Sequence, residues 1–92
     1  MEFEYDPAKS AANKDKHGID FEEAQALWLD DDGAILETVF VAETRYLLVA
    51  RWRDKLWTAV HTIRNGNIRL ISVRRARQDE AEAYRDNLGR GI

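Results

Sequence analysis

The side chains in this sequence best suited to chemistry are arginines. The run "ISVRRAR" at residues 71–77 ends an apolar stretch with three of them, and all ten arginines of the chain fall within residues 45–92. A guanidinium stays charged at physiological pH and can hold two oxygens of one phosphate or carboxylate, so such a cluster suits an anion. His61 titrates near neutrality and could act as general acid or base, although a lone histidine inside a strand is more often a packed side chain with a satisfied N–H. His17, just before Gly18, is placed to cap the last carbonyls of a helix. Ser10 and Ser72 are the only serines and neither sits in a G-x-S-x-G elbow, and a Walker loop and a dinucleotide fingerprint are both missing. Asp30-Asp31-Asp32-Gly33 has a DxD spacing that could hold Mg²⁺ or Ca²⁺, but the further oxygen ligands of an EF-hand loop are missing, so it reads first as a solvated loop.

The charge balance frames the arginines. The formal net charge is -3 and the pI about 5.3, which taken alone argues against a nucleic-acid binder. The average conceals a division. Residues 1–44 hold three lysines against twelve acids, and residues 45–92 hold ten arginines and Lys55 against five acids. Such asymmetry points either to a polyanion or protein partner or to two halves that face and neutralise one another. For Arg74, Arg75 and Arg77 the plain alternative to an anion site is a solvated strand end, paired with the acids of the second helix or of the Asp30–Asp32 loop.

Ninety-two residues, 45% of them hydrophobic, suit a single domain over 1–92 with one core. With no cysteine there is neither a disulfide framework nor a thiolate metal site. The acidic N-terminus lacks a signal-peptide pattern and no stretch approaches a membrane span, so a cytoplasmic protein without membrane contact is expected.

The elements that must position these groups follow from local pattern. Phe3 and Tyr5 alternate with Glu2 and Glu4 as a short strand. Asp6 with Pro7 at the first helical position starts a helix over Ala8–Lys16 that Gly18 stops. Asp20 with Glu23 forms a capping box ahead of a second helix, with Phe21, Ala24, Leu27 and Trp28 at helical spacing. Four strands follow near 35–41, 45–53, 56–64 and 68–75, joined by connections too short for anything but antiparallel pairing, with Asn65-Gly66 the strongest hairpin signal. Gln78–Leu88 is a last helix with Ala81, Tyr84, Arg85 and Leu88 on one face, stopped by Gly89 or Gly91. The fold class is α+β: a four- to five-stranded, mainly antiparallel sheet with two N-terminal helices and one C-terminal helix. Helices on one side of the sheet and a partly polar cleft on the other are the expected layers.

Period-two alternation sorts the strand residues. Arg45, Leu47, Val49, Arg51 and Arg53 share a face opposite Tyr46, Leu48, Ala50 and Trp52. Leu56, Thr58, Val60, Thr62 and Arg64 oppose Trp57, Ala59, His61 and Ile63. Strict alternation in the last strand sets Arg69, Ile71, Val73 and Arg75 against Ile68, Leu70, Ser72 and Arg74. Which arginines share a cleft depends on register, which the sequence leaves open.

Three fragments together resemble one family: "FEYDPAKSAANKDKHGIDFEEA" at 3–24, "RYLLVAR" at 45–51 and "IRLISVRRARQDEAEAY" at 68–84. They are similar to the BrnT toxins of bacterial type II toxin–antitoxin pairs. The N-terminal part carries an aromatic-Asp-x-x-Lys pattern, Asn13, Lys16-His17-Gly18 and Phe21-Glu22-Glu23-Ala24. The second anchor is Ser72 and Arg74 with Glu80 and Tyr84 downstream. Two positions depart from the pattern: Tyr5 where tryptophan is frequent, and Arg77 where a serine or threonine would cap the last helix and complete a box with Glu80.

The resemblance implies a RelE-like fold and a metal-independent endoribonuclease toxin without cofactor, inhibited by a BrnA-like ribbon-helix-helix antitoxin. The expected partners are an RNA substrate, that antitoxin, and operator DNA reached only through it, in a homodimer or a heterotetramer with the antitoxin. In such a reaction the RNA 2′-hydroxyl attacks the adjacent phosphorus, so a base takes its proton, cations hold the phosphorane charge, and an acid serves the 5′-oxygen. The candidates for charge stabilisation are Arg51, Arg64 and Arg74, of which Arg51 and Arg74 match the motif best. Those for base or acid are His61, Lys16 and Glu80, and Arg45, Arg69 and Arg75 are candidate RNA contacts. The competing expectation is a non-catalytic module of the same fold that serves as antitoxin partner and co-repressor. A salt-dependent RNA affinity lost in Arg74→Ala but kept in Arg90→Ala would separate a cleft from diffuse charge.

Overall fold

The computed structural model describes residues 2–90. Its elements are β1 (Phe3–Glu4), α1 (Pro7–His17), a 3-10 helix (Glu23–Leu29), β2 (Ala34–Phe40), β3 (Glu43–Trp52), β4 (Lys55–Arg64), β5 (Asn67–Arg75) and α2 (Gln78–Arg90). The local signals act as expected where they are chemical. Asp6 accepts from the Ala8 N–H at 2.8 Å with Pro7 behind it, and Gly18 ends α1 at φ 82°, its N–H bonded to the Lys14 carbonyl. Asp20 and Glu23 form the reciprocal box, Glu23 N–H to Asp20 Oδ1 at 2.7 Å and Asp20 N–H to Glu23 Oε1 at 3.0 Å. The segment after it is a 3-10 helix rather than an α-helix. Phe21, Ala24 and Leu27, all buried, are three residues apart, a spacing that a period of three aligns on one edge.

The four long strands form an antiparallel meander, and β1 joins its far edge parallel to β5, giving a mixed five-stranded sheet in the order β1-β5-β4-β3-β2. Register settles which residues share a face. β5 carries an irregularity: Val60 faces Ser72 and His61 faces Leu70, so Ile71 is an extra residue. Strict alternation therefore fails there. Val73 joins Ile68 and Leu70 on the core face, while Arg74 joins Arg69 on the other, correcting the expected grouping.

The core lies on that first face, where Ile19, Phe21, Ala24 and Leu27 pack on Leu48, Ala50, Trp57, Ala59, Ile68, Leu70 and Val73. Asn13 of α1 anchors the bulged strand. Its Nδ2 donates to the Val73 and Ile19 carbonyls, at 2.9 and 2.7 Å, and its Oδ1 accepts from the Val73 N–H at 3.2 Å. The second face is not an uncovered cleft. The α2 helix crosses it at one end, Glu80 bonding Thr58 and Arg74, and leaves Val49 and Thr58 fully buried. No helix among the described residues is long and apolar enough to cross a membrane.

All three hairpins turn through two residues of positive φ: Val41-Ala42, Arg53-Asp54 and Asn65-Gly66. Only the last has residues that favour this geometry. Val41, β-branched at φ 47°, and Ala42 at φ 62° carry backbone strain. Ala42→Gly is expected to raise stability by about 0.5–1 kcal/mol in urea unfolding. An unchanged or lower midpoint would show that the turn is not strained.

Candidate functional site

Five arginines share the second face: Arg45 and Arg51 of β3, Arg64 of β4, and Arg69 and Arg74 of β5. They divide between its two ends. Arg45, Thr62 and Arg69 form a cross-strand row at the end away from α2, where Arg45 stands 3.6 Å from Glu43 and Arg69 stands 4.0 Å from Glu4. Arg64 is exposed at the β4–β5 hairpin, paired with Asn67. Arg51 is level with Leu56, eight residues back along β4, so at ~3.4 Å per residue about 27 Å separate it from Arg64. Of the three stabilising candidates, Arg51 and Arg74 lie at the α2 end of this face, with β4 between them, and Arg64 lies at the other end.

Arg74 is held by Glu80 in a two-pronged ion pair, Nη1 to Oε1 at 2.7 Å and Nη2 to Oε2 at 2.9 Å. Glu80 Oε1 also accepts from the Thr58 hydroxyl and the Arg77 N–H, both at 2.8 Å. That last bond is half of a capping box. Arg77 lacks the hydroxyl for the other half, and the glutamate still closes its own. Arg74, aided by the Arg77 and Thr58 donors, holds the Glu80 carboxyl down at a pKa of about 2 despite its burial. Glu80 in turn raises the pKa of Arg74. At neutral pH this carboxylate is ionised and saturated with donors, which unfits it as a base.

Beside this pair stands a second cluster. Asp30 Oδ2 accepts from the Arg51 N–H and from the Tyr84 hydroxyl, each at 2.8 Å, and Oδ1 accepts from the Asp32 N–H. Burial opposes the Asp30 charge, but these donors outweigh it and its pKa falls. Burial and the bond to Asp30 raise that of Tyr84, so the phenol keeps its proton. The Arg51 guanidinium lies 5.9 Å from the Tyr84 ring centre. Asp30 is thus a tether between the loop, β3 and α2, while Asp31 and Asp32 are exposed as expected.

Between α2 and the β3–β4 hairpin lies a groove of about 290 Å³ lined by Arg51, Lys55, Arg75, Arg85, Asp54 and Tyr84, with Leu56, Ala76 and Ala81. Four cations face one acid there. Arg75 does not pair with the acids of the N-terminal half. Its guanidinium lies 5.6 Å from the centre of the Trp57 ring and its Nε donates to the Leu56 carbonyl. Next to it, Arg53 lies 4.4 Å over Trp52, and the two indoles meet edge to face. Cations rested on aromatic faces keep their charge available to a ligand. No pattern in the sequence marks Lys55 or Arg85 as site residues, although Arg85 shares the Ala81–Tyr84 face of α2.

The remaining candidates lie elsewhere. His61 is buried on the core face, between Trp28 and Tyr46, its ring centroid 5.0 and 5.8 Å from theirs, with Nδ1–H donating to the Ala59 carbonyl. Burial lowers its pKa. Lys16 is exposed on α1, which packs on the core face of β5. Neither meets Arg51 and Arg74.

A cationic groove walled by Tyr84, on a small mixed sheet whose second face carries five arginines, has the chemistry of an anion-binding surface. The chain belongs to the BrnT family: the family model described as ribonuclease toxin, BrnT, of type II toxin-antitoxin system matches residues 5–80. Membership implies an RNA target and an antitoxin partner. No curated protein matches the chain.

Proposed function

We propose that this protein is a metal-independent endoribonuclease that arrests growth by cutting RNA and so blocking translation, and that a BrnA-like ribbon-helix-helix antitoxin neutralises it and carries it to operator DNA. The observation that carries this reading is the groove, where Arg51, Lys55, Arg75 and Arg85 outnumber Asp54. In it the guanidinium of Arg51 holds the phosphorane oxygens, Arg74 borders the site from its pair with Glu80, and Lys55, Arg75 and Arg85 track the flanking phosphates. Tyr84, its one hydroxyl proton committed to Asp30, walls the groove and does not transfer protons, so solvent water takes the 2′-hydroxyl proton and supplies the one that the leaving 5′-oxygen needs. The mixed sheet with helices on both faces is compatible with a RelE-like ancestry. Incubated with RNA in excess EDTA, the purified chain is expected to leave 2′,3′-cyclic phosphate and 5′-hydroxyl ends. Cleavage that stops with chelation would overturn the metal-independent reading.

A second reading, the non-catalytic co-repressor, draws on one observation. His61, Lys16 and Glu80 are respectively buried on the other face, carried by a helix of that face, and spent on Arg74, so none is a free base beside Arg51. It predicts intact RNA at high protein concentration, together with tighter operator binding by the antitoxin.

A further inference from the structure

From Ile19 to Thr44 the chain contains neither lysine nor arginine, against eight acids: Asp20, Glu22, Glu23, Asp30, Asp31, Asp32, Glu37 and Glu43. This stretch includes β2, which closes the sheet on one side and, among the described residues, pairs only with β3. An edge strand offers a row of backbone donors and acceptors to any passing chain, and proteins usually blunt it with lysine, proline or a bulge. β2, of sequence AILETVF, has none of these. Its core-face residues Ile35 and Val39 are 53% and 76% exposed, and Val41 in the strained turn beyond is 84% exposed. Between the two strand residues stands a single charge, Glu37.

The surroundings favour an extended occupant. One groove of about 290 Å³ runs along the edge, with Gly33–Leu36 as one wall and Ala83, Asp86 and Asn87 of α2 as the other. Asn87 Nδ2 donates to the carbonyls of Asp32 and Gly33, so α2 satisfies the start of this edge and leaves the rest. Round the corner on the core face, Ile35 also borders an apolar hollow with Trp28, Tyr46, His61, Ile63 and Ile68. A guest strand would lay alternate apolar side chains beside Ile35 and Val39 and set a cation against Glu37, with Asp31, Asp32 and Asp86 at the rim. A second copy is the poorer guest. Fully overlapped antiparallel pairing of Ala34–Phe40 with itself sets Glu37 against Glu37.

We propose that the free edge of β2 is the docking site of the antitoxin, which adds an extended, basic and apolar segment to the sheet. This rests on the toxin–antitoxin membership of the chain and not on its catalysis. It also gives the acidic half a purpose: the anionic edge receives the partner, while the arginine groove faces the RNA.

The test uses the full chain with the antitoxin of its own operon. Amides of residues 34–40 are expected to exchange more slowly in the complex than in the free chain. Val39→Asp and Glu37→Lys, both at exposed positions, should each weaken antitoxin affinity at least ~10-fold while leaving RNA cleavage and the thermal midpoint of the free chain unchanged. Unchanged affinity in both variants, or unprotected β2 amides in the complex, would overturn the assignment. So would a free dimer that Val39→Asp splits, since the edge would then belong to a second copy. Should the free chain leave RNA intact while the antitoxin still protects β2, the nuclease reading fails and the docking site stands.

Discussion

Glu80→Ala is expected to cost about 2–4 kcal/mol of stability, read as a lowered urea midpoint without loss of the sheet signal in circular dichroism. The glutamate is 4% exposed and accepts four hydrogen bonds: two from Arg74, one from the Thr58 hydroxyl and one from the Arg77 N–H. Removing it strands a guanidinium whose side chain is only 19% exposed and leaves two more donors without their partner. Breaking one side of a buried pair costs more than the pair contributes, because the other charge stays desolvated. Arg74→Ala should be nearly as damaging, since Glu80 would then be the buried charge. Glu80→Gln separates the charge from the contacts, keeping the shape and part of the bonding. A midpoint within about 0.5 kcal/mol of wild type in Glu80→Ala would show that this pair does not hold α2 to the sheet.

The same pair sets a pH dependence whose sign is fixed. The Glu80 pKa is about 2 in the folded chain against an ordinary 4.5. Its contribution, about 3 kcal/mol, is complete above pH 4.5 and is lost as pH falls from there toward 2. Asp30 and Glu23, both lowered, act in the same direction. Wild-type stability should therefore fall across that window more steeply than that of Glu80→Gln. Parallel curves for the two proteins would contradict the assignment.

The family-like residues were legible in sequence, and the structure shows most of them to be folding residues. Asp6, Gly18, Asp20 and Glu23 are caps, Asn13 stitches α1 to β5, Phe21 and Ala24 are core, and Arg74, Glu80 and Tyr84 fasten α2. Caps and periodic apolar positions act over three or four residues, so a linear pattern records them. The groove is different. Arg51, Lys55, Arg75 and Arg85 come from β3, β4, β5 and α2, and a single extra residue, Ile71, decides that Arg74 rather than Arg75 shares a face with Arg69. No spacing rule within one strand reveals a bulge that the neighbouring strand creates. The crossing of α2 to the second face was equally hidden, since its amphipathic pattern names an apolar side but not the sheet face that receives it.

Arg51→Ala is expected to lower the rate of RNA cleavage about 100-fold or more while leaving the fold intact, the scale on which removal of one charge-stabilising donor acts. Arg74 has its two terminal nitrogens engaged by Glu80, so its charge is largely answered inside the protein. Arg51 is exposed, and among the described residues its guanidinium forms no ion pair shorter than 4.0 Å. Its main-chain N–H is what hydrogen-bonds Asp30, so truncation should leave that tether in place and remove only the side chain's charge beside Asp30 and Tyr84, with the thermal midpoint near wild type. Neutralising Lys55 or Arg85 should instead weaken RNA binding a few-fold and reduce the slope of log affinity against log salt by about one for each phosphate left unneutralised, with kcat little changed. Lys9→Ala, on exposed α1, should alter neither quantity. A real phosphoryl site in this groove requires that contrast between kcat loss at Arg51 and salt-slope loss at Lys55 and Arg85. If Arg51→Ala cuts RNA at the wild-type rate, phosphoryl transfer takes place elsewhere on the molecule.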